Sequence, residues 1–216
     1  GDGGSPPAPY ARHDWRKMTE ANKNSSSREH VIDVATTLFW RAGYDGVSIG
    51  DIVEASGANR YALYHEFKDK KGVFRAVLEH YVEDSHQLIR SFLERRDRDP
   101  VDAVRDAIIA KMLDPEMFPA GCLMCTTAGE MAARDEEIAA LMGEKSAAIG
   151  ETFRTAFAQA QAEGRARTDI SPLAFQEVAH ALYFSTGLQA RMGRSREELL
   201  QALEAVCDTF RSKPAT

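Results

Sequence analysis

A chain of 216 residues, 44% hydrophobic and 28% charged, has the apolar material for a buried core, which excludes global disorder. Its three cysteines are too few for a disulfide-stapled secreted scaffold, and no apolar run approaches the roughly 20 residues of a membrane span. The formal net charge of −6 taken alone argues against a nucleic-acid binder, but residues 25–75 carry seven cations and seven anions while residues 76–216 carry sixteen and twenty-three, so the acidity belongs to the C-terminal two-thirds.

Residues 1–24 are rich in Gly, Pro, Ser and Asn, lack the apolar segment of a signal peptide and show no period. They are expected to be a disordered arm or an appended remnant, with Arg12, Arg16, Lys17 and Lys23 as loose cations, on a protein of the cytoplasm. Order is expected from Ser25–Ser27, which offer an N-cap to a helix carrying Val31, Ile32, Ala35, Leu38 and Phe39 at helical spacing and ending at Gly43. A short helix capped by Ser48 turns Ile49, Ile52 and Val53 inward and stops at Ser56 and Gly57. A second short helix follows the N-cap candidate Asn59 and buries Ala62, Leu63 and Phe67.

From about Lys70, a continuous stripe from Val73 to Leu93 marks a fourth helix of about six turns. Pro100 introduces a helix over 101–113, and residues 114–119 are a break. Helices are then expected over 122–142, 144–163, 172–192 and 196–211. Strict two-residue alternation is absent, so the fold class is all-α with about nine helices. The expected division is a helix-turn-helix head over 25–72 and a larger helical body over 73–216.

Ser48 to Phe67 has the spacing of a helix-turn-helix, with Gly57 supplying a small residue where the helix ends approach. The second helix would enter the major groove, placing Asn59, Arg60 and Tyr61 at base edges. Tyr64, His65 and Lys70 are in reach of phosphates, and Ser48 of the flanking strand. The same spacing also occurs in all-α cores and interaction modules that bind no DNA.

The order of Val31–Phe39, Gly43–Tyr44, Val47–Ile49, Ile52–Gly57, Leu63–Phe67 and Lys70 resembles the N-terminal domain of the TetR family of one-component regulators. The resemblance spans about residues 28–82 and implies an all-α homodimeric transcriptional regulator, in the usual case a repressor released from a palindromic operator by a small-molecule effector. By that likeness Tyr64 and Lys70 grip phosphates, while Arg60 and Tyr61 face the groove. Two departures stand out: Ala62 where a hydroxyl is common, and Tyr61 where a small residue or proline is common. Neither an enzymatic activity nor a cofactor or metal is expected.

For the body, the resemblance implies an effector pocket and a dimer bundle from the last two helices. The stripe Ala174, Val178, Ala181, Leu182, Ser185, Leu188 and Gln189, with Gly187 for close approach, and the stripe from Leu199 to Phe210 suit an isologous contact. Effector candidates are His86, Met112, Phe118, Met124, Phe153, Phe157 and Phe184. Cys122 and Cys125, a Cys-x-x-Cys at a helix start, are candidates for a thiol-based redox or electrophile sensor, or for small core residues in apolar surroundings with no adjacent cation.

Overall fold

The computed structural model describes residues 28–114 and 121–211, and all described regular structure is helical. The helices are α1 Arg28–Ala42, α2 Ile49–Ser56, α3 Arg60–Phe67, α4 Lys70–Leu93, α5 Pro100–Met112, α6 Leu123–Met131, α7 Glu136–Ala162, α8 Pro172–Arg191 and α9 Arg196–Phe210. Ser25–Ser27, the arm cations, Phe118 and most of the expected break at 114–119 lie outside the described residues.

The chain divides into two compact units, with the seam between Val77 and Leu78 inside α4. It falls beyond the expected 72/73 division because the first turns of α4 belong to the head's core. Phe74 meets Phe39 of α1 edge-on with ring centroids 4.8 Å apart, and Tyr44 sits 4.9 Å from the same ring. Val31, Ile32, Ala35, Ile52, Leu63, Phe67, Val73 and Val77 complete that core. Arg28 pairs with Glu66 at 3.0 Å, joining α1 to α3.

The head's turns are set by backbone chemistry. Gly43 ends α1 at φ 72° and its N–H donates to the Phe39 carbonyl at 2.9 Å. Gly57 ends α2 at φ 67°. A Cβ at Gly57 would meet nothing within 4 Å, which corrects the expected reason for this glycine. The turn requires left-handed backbone there, not space between helix ends.

In the second unit, α7 and α8 form the most extensive helix pair, and α5, α6 and α9 pack against α8. Phe157 of α7 stacks on Phe175 of α8 at 4.1 Å, and Phe153 lies 6.3 Å from Tyr183. Arg211 and Arg105 tie α5 to α9 through Asp102 and Glu204, at 2.6 to 3.2 Å. The expected break near Gly143 lies instead at residues 132–135. Asp135 accepts the Ile138 N–H at 3.1 Å and starts a new helix, while Gly143 stands exposed inside α7. A glycine inside a helix costs about 1 kcal/mol, which a helix of this length with a good N-cap absorbs.

Candidate nucleic-acid interface

α3 is short and presents one face outward. Leu63 and Phe67 anchor it, while Arg60, Tyr61, Tyr64 and His65 point to solvent. Tyr61 is 80% exposed, so its ring contributes almost nothing to the head's own packing. It lies nearly parallel to the His65 ring, with centroids 6.5 Å apart.

The position of α3 is fixed at both ends. The Asn59 side-chain oxygen accepts the Tyr61 and Ala62 N–H groups at 2.8 and 3.3 Å. This leaves the Asn59 amide N–H groups as its donors for a base edge. Bidentate adenine recognition needs both the donor and the acceptor of the amide, and here the acceptor is committed to the helix. At the other end, Lys68 closes the helix at φ 71°, its N–H donating to the Tyr64 carbonyl at 2.9 Å.

α2, preceding the turn, carries a reciprocal cap. Ser48 Oγ accepts the Asp51 N–H at 3.1 Å and Asp51 accepts the Ser48 N–H at 2.7 Å. These bonds hold the Asp51 carboxyl below the usual carboxylate range. The Ser48 hydroxyl also reaches the Asp51 carboxyl, and its exposure leaves it open to a phosphate.

Lys70, expected to reach a phosphate, is also engaged within the head. Its ammonium donates to the Tyr44 and Val47 carbonyls at 3.0 Å each and lies 4.2 Å from the centre of the Tyr44 ring. Two of its three donors thus hold the loop between α1 and α2, leaving one for an external anion. Lys70, Tyr64, Arg60, Ser48 and Gly50 border one open cleft with Asp45 and Asp51.

In the body, the described effector candidates differ in burial. Met112, Met124, Phe153 and Phe157 are buried core residues, and Phe157 is occupied by its stack on Phe175. Phe184 is half-buried, edge-on to His180 at 4.8 Å and to Tyr183 at 5.3 Å. His86 is half-buried, its Nε2 2.5 Å from Thr152 Oγ1. Thr152 donates its own proton to the Ala148 carbonyl at 2.9 Å, so Nε2 acts as donor and Nδ1 remains an acceptor. Burial first, then the nearby Arg90, holds the His86 imidazolium below its ordinary range.

Gly187 permits close approach, but not on an outer face. A Cβ there would stand 2.8 Å from both Cys122 Cβ and Met112 Sδ, so this glycine admits the start of α6. Leu188, Ala181 and Ala174, by contrast, are exposed on α8, together with Leu173 and Met192. On α9, Leu199, Leu203 and Cys207 are buried within the unit, while Leu200, Val206 and Phe210 are only half-covered.

Sequence reasoning missed a cluster around Cys122. Tyr81, Ser85, Lys111 and Tyr183 are brought to it from three other helices, and none of them stands out from the apolar stripes that carry it. Lys111, whose ammonium lies 4.1 Å from the centre of the Tyr81 ring, supplies the cation that the local sequence lacks.

Comparison with known proteins gives a consistent assignment. Residues 31–77 match the bacterial regulatory proteins of the tetR family, and residues 99–206 match the tetracyclin repressor-like C-terminal domain. The chain is 32% identical over 189 residues to the HTH-type transcriptional repressor ComR of Escherichia coli, covering 86% of this chain and 89% of that protein. It is 27% identical over 194 residues to the HTH-type transcriptional repressor AcnR of Corynebacterium efficiens, covering 88% and 95%. Its fold is similar to that of E. coli NemR in the reduced form, with a TM-score of 0.77 at 21% identity over 88% of this chain and 98% of that one.

Proposed function

The chain belongs to the TetR family of bacterial transcriptional regulators, and from that premise we propose that it is a repressor that binds a palindromic operator as a homodimer and is released by a small molecule. The observation that carries this reading is the outward face of α3. Arg60, Tyr61, Tyr64 and His65 stand exposed on a helix whose backbone is held by the Asn59 cap and the turn at Lys68. Exposed polar and aromatic side chains on so short a helix stabilise the monomer little. Their rigid mounting makes sense as preorganisation for a partner.

In this reading α3 lies in the major groove. Arg60 forks onto a guanine edge and Tyr61 packs on a thymine methyl. Tyr64, His65, the Ser48 hydroxyl and the remaining Lys70 donor hold phosphates on either side of the cleft. Lys70 also acts indirectly, by fixing the loop that aims the α2 N-terminus. The acidic body does not oppose this, because only the head approaches the duplex, which such a protein would meet in the cytoplasm.

Dimerisation is proposed through α8 and α9. Leu173 and Leu188 of α8 and Met192 just beyond its end are 45–76% exposed in the single chain, while the other face of α8 is buried. Exposed leucine and methionine along one helix suit a self-complementary contact across a two-fold axis. The effector is proposed to contact His86 Nδ1 and the half-buried ring of Phe184 in the body. Its binding would favour a separation of the two α3 helices that no longer matches successive major grooves, about 34–36 Å apart.

Selection from randomised duplex DNA at moderate salt tests the reading. It predicts a palindrome whose half-sites are about one helical turn apart, and loss of enrichment for Arg60→Ala protein that remains folded. Folded, dimeric protein that enriches no sequence, with or without added metabolite extract, would overturn it.

A further inference from the structure

The second unit contains a built cluster that repression by a reversibly bound ligand does not use. Cys122 occupies the N-cap position of α6 and Cys125 the third position of the helix, so both sulfurs face the same turn. The two thiols and the Tyr81 hydroxyl lie within electrostatic reach of one another. The single Cys125 S–H points to the Phe184 carbonyl of α8, 3.4 Å from Cys125 Sγ, and is shared with the neighbouring Cys122 sulfur. A third group converges there. The Tyr183 hydroxyl is buried beside both sulfurs and within reach of Ser85. Ser85, its polar neighbour, gives its proton to the Tyr81 carbonyl at 2.6 Å.

A phenol O–H buried next to two thiols in an apolar interior is a weakly served donor, since sulfur is a weak acceptor. An added oxygen on sulfur would give that hydroxyl a stronger acceptor. The electrostatics favour the same sulfur. The Cys125 thiol first, and then the Met124 and Cys125 amides and the Tyr81 hydroxyl, pull the Cys122 thiol below its ordinary range. Cys125 is pushed up by the same hydrogen bond and by burial. Burial pushes the Lys111 ammonium below its ordinary range, and the charged Cys122 sulfur partly offsets that. One nucleophilic sulfur and one protonated resolving sulfur, three residues apart, form a competent pair.

We propose that Cys122 and Cys125 are a peroxide-reactive dithiol whose disulfide loosens α6 from α8. The Cys122 thiolate attacks the peroxide oxygen. The O–O bond breaks, an alkoxide or hydroxide leaves, and Cys122 becomes a sulfenic acid stabilised by the Tyr183 hydroxyl. The Cys125 thiol then attacks the sulfenic sulfur, the S–O bond breaks, and the hydroxide leaves with the Cys125 proton as water. Two thiols are oxidised to one disulfide and one peroxide is reduced to an alcohol, or for hydrogen peroxide to water. The reagent must be small, because Cys122 is only 1% exposed.

Disulfide formation alters a contact with α8. Cys125 loses the S–H that it donates to the Phe184 carbonyl. Through the dimerisation role proposed above for α8, oxidation then changes operator affinity, and that last step alone rests on the repressor reading.

The test is hydrogen peroxide added to the reduced full-length protein, read by intact mass, peptide mapping and amide hydrogen exchange. The expected result is a loss of 2 Da per chain, a dithiothreitol-reversible Cys122–Cys125 link, and faster exchange over Tyr183–Arg191. Cys125→Ser is expected to stop at a Cys122 sulfenic acid trapped by dimedone. Cys122→Ser is expected to show neither product, and circular dichroism confirms that each variant is folded. Absence of the 122–125 link in folded protein, or a link that leaves exchange over α8 unchanged, overturns the proposal. Operator binding is measured in parallel: protein that forms the link and loosens α8 but never binds DNA sinks the repressor reading and leaves the dithiol standing.

Discussion

The head and the body hold their helices in place by different means. In the head, α2 and α3 are eight residues each and bury few side chains apiece. Their positions depend on directional devices: the Ser48–Asp51 box, the Asn59 cap, the left-handed Gly57 and the Lys70 ammonium on two loop carbonyls. In the body, α7 and α8 are 27 and 20 residues long and are joined by stacked rings and close glycine contacts. A surface that must match a rigid duplex gains from geometry fixed by hydrogen bonds. A regulatory body gains from an interior that can repack around a ligand or a modified sulfur.

Breaking the body's core gives the largest expected effect. Phe157→Ala removes a fully buried ring from its stack on Phe175 and is expected to cost about 3–5 kcal/mol in urea unfolding. A loss below about 1 kcal/mol would mean that this core is looser than its packing indicates.

The head is expected to be most sensitive at Lys70. Lys70→Met strands the Tyr44 and Val47 carbonyls and is expected to cost about 1.5–3 kcal/mol of head stability along with DNA affinity. A lysine acting only on phosphate would lose affinity and leave stability untouched, so the pair of measurements decides between clamp and contact. Arg60→Ala is expected to do the reverse. Unfolding stays unchanged, while operator affinity falls about 10- to 100-fold with relaxed preference at one base position, as expected for about 1–3 kcal/mol from a lost bidentate contact. Competition with single-base operator variants reads that relaxation. Uniform weakening at all positions would reassign Arg60 to the phosphates.

Gly57→Ala isolates a smaller term. Space is open around this residue, so the whole effect comes from its φ of 67°, about 1 kcal/mol for a side chain in left-handed backbone. Gly57→Asn is expected to recover most of it, because asparagine tolerates that region. Equal losses for both variants would point to crowding instead.

The difference between the two regions also explains what could be read in advance. Caps and turns are local, so Ser48, Gly57 and Asn59 announce α2 and α3 within a dozen residues. What Asn59 does could not be read as well, because a cap and a base contact use the same amide oxygen. The partners of Lys70 lie 26 and 23 residues away, and nothing near Lys70 names them. In the body the apolar period gives the helices, but Tyr81, Lys111 and Tyr183 look like ordinary stripe positions until packing sets them around Cys122. Gly143 and Gly187 mislead for the same reason, since the space around a glycine depends on neighbours remote in sequence. One is open to solvent and the other receives the start of α6.

The smallest effect probes the body's proposed contact with its effector. His86 faces Glu83 and Arg90 on its own helix and Thr152 and Lys145 on α7. Burial, Arg90 and Lys145 outweigh Glu83, so the folded protein binds the imidazole proton less readily than the unfolded chain does. At pH 8 the ring is neutral in both states and contributes no pH dependence. As pH falls through about 6.5, the unfolded chain takes up the proton first, so stability declines from there down to the lower folded value. His86→Gln keeps a side-chain donor for Thr152 and removes the titration. The wild type is therefore expected to lose more stability than His86→Gln between pH 8 and 5.5, measured by urea unfolding at matched ionic strength. Identical slopes would mean that His86 charges freely in the folded body. A ring that charges freely carries a proton on Nδ1 at acid pH, so the acceptor proposed for the effector would be lost near pH 6.5 and not below it. The pH at which effector-induced release from the operator fails would then move with it.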